Sequence, residues 1–149
     1  MRFRHVIGAC TLALLSTSCS LGDETGSGSI NIYVEVDKST LALGETMTIT
    51  VTARNVGYDP LSLTGPSDCL LYIEVVNNQG QVVWHSNGAC SGGSVTEEVA
   101  PGANRVQSFT WNGSNLAGAR LAAGFYHIRP IARLTGGNYV GPAASVALE

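Results

Sequence analysis

From residue 30 to the end of the chain, apolar side chains return at every second position. Ile30, Ile32, Val34 and Val36 alternate with Asn31, Tyr33, Glu35 and Asp37. Met47, Ile49, Val51 and Ala53 alternate with Thr48, Thr50, Thr52 and Arg54. A period of two fits a strand with one buried face, not a helix with its repeat of about 3.6. Leu70 to Val76 and Gln81 to His85 are two further strands, joined by Asn77-Asn78-Gln79-Gly80 as a hairpin loop that sets Val76 opposite Gln81. Leu61 to Leu63 and Ser94 to Val99 read as short edge strands, and Arg105 to Trp111, Phe125 to Leu134 and Ala144 to Leu148 complete the set. Turn residues separate them, including Pro60, Gly65-Pro66, Pro101-Gly102 and Gly136-Gly137. About eight short strands with no strand–helix alternation predict an all-β fold, an immunoglobulin-like antiparallel β-sandwich over residues 30–149.

The segment ahead of this domain has another character. Met1-Arg2-Phe3-Arg4-His5 is a short cationic run, and Val6 to Leu15 is apolar or small throughout. Spanning a bilayer as a helix takes about 20 such residues, so the run fits a signal peptide over residues 1–18 rather than an anchor helix. Small residues lead into Cys19 and look like the lipobox of bacterial lipoproteins, in which the thiol is lipidated and becomes the mature N-terminus. Ser16 departs from that pattern, which prefers Leu there, and an ordinary secretory cleavage near Ser18 or Ser20 is the alternative. Residues 19–29 then carry the lipidated Cys and a Gly/Ser-rich linker reaching ~16–19 Å. The expectation is an exported, lipid-anchored protein of the cell envelope. Ser20 lacks the acidic character that retains lipoproteins at an inner membrane, which points to the outer one where a cell has two.

Charged residues make up 13% of the chain, against about 25% in an average globular protein. Together with 18 Gly, this excludes long charged helices. Loss of Arg2 and Arg4 with the signal leaves 6 basic against 11 acidic residues, a net charge of −5. Nucleic-acid binding needs clustered cations, so no nucleic-acid partner is expected. Of the four cysteines, Cys10 leaves with the signal and Cys19 is committed to lipid. Cys69 and Cys90 remain, at the open end of one hairpin. Outside the cytoplasm such a pair is expected to form a disulfide. No C-x-x-C or H-x-x-x-H spacing accompanies it, so no metal site and no cofactor is expected.

The motifs of catalysis are missing from the sequence, among them the G-x-S-x-G elbow, H-E-x-x-H and the P-loop. His85 and His127 have strand parity that turns them outward, toward solvent. Glu97 and Glu98 are neighbours on a strand, face opposite ways, and cannot act as a paired acid and base. Asn112-Gly113-Ser114 matches a glycosylation acceptor and reads here as a turn. The expectation is a protein that is not an enzyme, with no catalytic residue.

Leu43-Gly44-Glu45, Val51-Thr52-Ala53-Arg54-Asn55-Val56-Gly57 and Pro60-Leu61 resemble the opening of the BsuPI-type intracellular proteinase inhibitor domain. Tyr72-Ile73-Glu74-Val75-Val76 with Gly80-Gln81-Val82-Val83-Trp84 is similar to its central hairpin. Ala100-Pro101-Gly102, Phe109-Thr110-Trp111-Asn112-Gly113 and Gly124-Phe125-Tyr126 resemble its closing half. The resemblance runs over residues ~31–148, as expected for one domain. It implies proteinase inhibition or another protein-binding role, although the family's namesake is cytoplasmic and the Cys69/Cys90 pair is foreign to the pattern. Trp84, Trp111, Gly113, Gly124 and Tyr126 read as structural, three of them aromatic and two in turns.

An inhibitor needs loops held in one shape before binding. The segments at residues 55–68 and 86–94 are the candidates, since a Cys69–Cys90 bridge would brace both. Their exposed residues are expected to include Asn55, Tyr58, Asp68, Asn87 and Ser91. A second expectation is an accessory immunoglobulin-like module of an envelope assembly, docking through exposed Tyr33, Tyr58 and Tyr139.

Overall fold

The computed structural model describes residues 29–149, so the signal peptide, Cys19 and most of the linker lie outside the described residues. Two sheets pack face to face. One holds β1 (Ile30–Val36), β3 (Met47–Asn55) and β8 (Asn104–Trp111), in the order β1-β3-β8. The other is built on the longest strand, β9 (Gly124–Leu134). One flank of β9 carries β11 (Ala144–Leu148), beside which lies β2 (Thr40–Leu41), and β10 (Gly137–Val140). The other flank carries β5 (Leu71–Val76) and, at Leu134, β4 (Leu61–Pro66). Outside these are β6 (Val82–His85) on β5 and β7 (Ser94–Val99) on β4.

The period-two expectation holds in the burial pattern. Ile32, Ile49 and Val51 of the first sheet and Leu63, Ile73, Val75 and Ile128 of the second are almost wholly buried between the layers. Each such side chain contributes about 1.5–3 kcal/mol on leaving water. Trp111 lies against Tyr126, ring centroids 6.4 Å apart and edge-on, and against Trp84 at 6.2 Å. Its indole N–H donates to Ser114 O at 2.9 Å, so the large ring is buried without an orphaned donor. The Tyr126 hydroxyl donates to Ala122 O, four residues upstream, in the manner of the tyrosine corner of immunoglobulin-like sandwiches.

Eleven strands form among the described residues, two more than the nine segments read from the sequence. The two additions, β2 and β10, have no apolar alternation of their own and exist through pairing with β11 and β9. The β2–β11 pair is parallel, a local departure from an antiparallel sandwich. The hairpin register also differs from expectation: Val76 faces Val82, not Gln81, and an irregularity between Val75 and Val76 sets Trp84 opposite Val75. The extra residue shifts the ladder toward a pairing of Cys69 with Cys90, without the loop adjustment that the simple register requires.

Chain entry is fixed by backbone contacts. Val56 N–H donates to Ser29 O at 2.8 Å, and Ile30 is the register partner of Asn55. The described chain thus begins beside the loop that joins β3 to β4.

Candidate functional site

The two candidate segments meet where β4 gives way to β5. After Pro66 the backbone leaves the sheet, turns at Ser67-Asp68 and returns at Leu71. After β6 it forms a short 3-10 turn, Ser86–Ala89, and runs through Cys90 to Gly93. Cys69 and Cys90 are joined in a disulfide with Cα atoms 5.7 Å apart, inside the usual span for such bridges.

Three other devices act on the same loops. The Asp68 carboxylate accepts from Ser91 N at 2.9 Å through one oxygen and from Gly92 N at 3.0 Å through the other. The Ser91 amide, outweighing partial desolvation, and then the Gly92 amide hold the Asp68 carboxyl below the usual carboxylate range. Gly92 is required by space: a Cβ there would lie 2.4 Å from Ser67 Oγ and 2.8 Å from Asp68 Oδ1. From below, Arg133 on β9 donates through Nε to Cys69 O at 3.0 Å and through NH2 to Asn87 Oδ1. Its guanidinium stacks 4.7 Å from the Tyr72 ring centroid, a cation–π contact of about 1 kcal/mol. Burial raises the Tyr72 phenol above its ordinary value, against the opposing pull of Arg133. Gln107 of β8 donates to Asp68 O, which ties the loop to the other sheet.

The second group of predicted residues lies at the other end of β4. Tyr58 is 99% exposed at the tip of the β3–β4 loop. Asn55 is 0% exposed and cannot touch a partner, which corrects its expected place on the binding surface. Its side chain holds the loop from inside, donating to Asp59 O at 2.7 Å and Val99 O at 2.8 Å and accepting from Gly57 N at 2.9 Å. A buried polar group of this kind is stable only because each of its atoms is paired. The disulfide therefore braces Asp68, Asn87 and Ser91, whereas the Tyr58 loop depends on Asn55.

Several smaller expectations also meet the geometry. Gly113 has φ of 75°, and a Cβ there would lie 2.2 Å from an Arg120 nitrogen. Gly124 opens β9 with φ of 148°. Asn112 Oδ1 accepts from Ser114 N and Oγ, closing the expected turn. Glu97 pairs with Arg105 at 3.1 Å while Glu98 accepts from Ser62 Oγ, so the two carboxylates do face apart. Neither histidine is freely solvated. His127 Nδ1 lies 3.0 Å from Ser145 Oγ, and the half-buried His85 has Gly88 beside it. Tyr139 is half-buried against the core rather than exposed, because β10 is held to β9, whereas Tyr33 is 38% exposed. Sequence reasoning missed Arg133 and Gln107; a lone cation and a lone amide on strands give no sequence signal of what they brace.

A cleft of about 300 Å³ lies at the end of the sandwich away from the Tyr58 loop, lined by Leu43, Glu45, Asn112 and Arg120 among others. Its polar groups are engaged: Arg120 donates to the carbonyls of Asn112, Leu41 and Glu149, and Glu45 accepts from Ala42 N.

No protein-family model matches the sequence, and no curated protein does. Among solved structures the chain is similar to an alkylpurine DNA glycosylase from Pseudomonas fluorescens, at 12% identity and a TM-score of 0.52, over 81% of this chain and 30% of that one. It is similar to the sporulation control protein Spo0M of Bacillus subtilis at 14% identity and a TM-score of 0.55, over 82% of this chain and 50% of that one. A third likeness is to the C-terminal domain of wzt, at 11% identity and a TM-score of 0.52, over 81% of this chain and 74% of that one. The chain thus spans half or less of the first two proteins. Likeness at these identities is likeness of fold, and the fold is an all-β sandwich.

Proposed function

We propose that this chain is an envelope-anchored, non-enzymatic protein-binding domain, and that proteinase inhibition is the specific form of that role. The observation that carries the reading is the loop pair around Asp68 and Ser91. It is fixed by a covalent bridge, by a carboxylate across two amides and by the Arg133 guanidinium. Loops ordered before encounter lose little conformational freedom on binding, and this is what an inhibitory loop requires. The resemblance to the BsuPI-type domain supports the inhibitor assignment. The cationic leader, Cys19 and the linker support export and lipid anchoring.

The test is titration of the full chain against serine, cysteine and metalloproteinases, with the bridge intact and reduced. Stoichiometric inhibition that fades on reduction is the expected result. Retained fold with no enzyme slowed would overturn the inhibitor assignment. The accessory-module reading is favoured by one observation, the complete exposure of Tyr58; loss of an envelope crosslink on Tyr58→Ala, with the bridge irrelevant, would support it.

A further inference from the structure

An open strand edge offers a row of unpaired N–H and C=O groups, a template for another strand. The other open edges among the described residues are short or partly covered. Gly141 lies against β1, where an added Cβ would sit 2.7 Å from Ile32 O. Arg105 folds back on β8, donating to Val106 O at 2.9 Å. Leu116 N–H donates to Val83 O of β6 at 3.1 Å. β10 has four residues and β2 has two.

The six-residue β7 has no such cover. Three observations fix which way its backbone points. Gly93 O accepts from Ser67 N at 3.0 Å, on the β4 side. Ser62, the partner of Glu98, turns its carbonyl the other way, to Thr135 N at 3.2 Å. Pro66, the partner of Ser94, has no N–H to give. Backbone direction alternates along a strand. Val95, Glu97 and Val99 therefore face β4, and Ser94, Thr96 and Glu98 present their N–H and C=O to the open side.

We propose that β7 pairs antiparallel with β7 of a second copy of this chain, about a two-fold axis through Thr96. The strand is self-complementary in that register. Thr96 faces Thr96, a favourable cross-strand pair, while Ser94 faces Glu98 and Val95 faces Glu97, so no acid opposes an acid directly. The closest approach of like charges is the diagonal between the two Glu97 side chains, each held by Arg105 of its own chain. Glu98 is likewise engaged by Ser62. Three opposed pairs exchange about six hydrogen bonds and extend the larger sheet across the axis. An isologous contact of this kind closes at two chains instead of growing into a filament. Attachment of both copies to one surface raises their effective concentration, which favours pairing through so narrow a contact.

The test is register-specific and requires no other partner. In a hydrogen-bonded antiparallel pair the facing Cα atoms lie about 5.5 Å apart, within reach of a disulfide. Thr96→Cys, in the full chain as the cell processes it, is expected to give a covalent dimer under mild oxidation, bridged through position 96 by mass spectrometry. Ser94→Cys, whose two copies would be ~14 Å apart along the strands, is expected to give at least tenfold less. Equal crosslinking of the two variants, or no dimer from Thr96→Cys with the Cys69–Cys90 bridge intact, overturns the proposal. Thr96→Pro removes an outward N–H without touching the β4 ladder, and should halve the mass measured by sedimentation equilibrium wherever the parent chain is dimeric. These readouts are independent of whether any proteinase is bound.

Discussion

The two ends of β4 are held by different chemistry. At the Leu61 end a buried amide, Asn55, reaches out to Asp59, Val99 and Gly57 and sets the loop over the edge of the core. At the Pro66 end the chain leaves the sheets, and another set of contacts holds the two loops. There a disulfide, the exposed Asp68 carboxylate and Arg133 from the outer face of β9 share the task. Position relative to the core thus goes with the kind of brace at the two ends. Where a loop folds back over the interior, a single neutral side chain suffices. Where two loops project beside it, covalent and charged contacts take over.

The largest effect is expected from removal of the bridge. Replacing Cys69 and Cys90 together by Ser should cost about 3 kcal/mol of stability, the loop-closure value for a ring of this size, measured as a fall in the urea midpoint. Asn55→Ala should cost about 2 kcal/mol, since it leaves the buried Val99 carbonyl without its side-chain donor. The two ends are about 20 Å apart along β4, so the combined variant should show the sum within roughly 0.5 kcal/mol. A clear excess over the sum would mean that the ends act as one unit.

Acid sharpens the contrast further. Asp68 has a folded-state pKa below its unfolded value, so its contribution is present above the ordinary carboxylate range and is lost as pH falls through the depressed value. Amide exchange at Ser91 and Gly92 should therefore accelerate, beyond the intrinsic pH effect, as pH falls below the carboxylate range. Gly57, held by the Asn55 amide, should show no such step. The smallest effect is expected from Tyr58→Ala, which should leave stability within about 0.5 kcal/mol, because the side chain is 99% exposed; thermal melts would detect a larger change.

Much of this architecture is written in the alternation of residues 30–36 and 47–54, because a half-buried strand must repeat every second residue. The disulfide is legible too, from a lone pair of cysteines at the open end of one hairpin. What the alternation does not carry is set by partners distant in sequence. Thr40-Leu41 is a strand only because β11 lies beside it, and Gly137 to Val140 only because β9 is long enough to pair with it. Asn55 looks like any polar residue ahead of a loop; nothing local says that Val99 will lie above it. Arg133 is similarly silent, since its partners Cys69 and Asn87 are brought to it by the sheet.

The contact of Ser29 with Val56 has a mechanical meaning. A pull on the chain upstream of residue 29 is borne first by that hydrogen bond and by the Ile30–Asn55 pair, and then passes down β1 one register pair at a time. The ring closed by Cys69 and Cys90 lies outside this line of force. Tension applied there would strip β1 from β3 before it deformed the braced loops, so the loops around the bridge are insulated from a pull on the chain's upstream side.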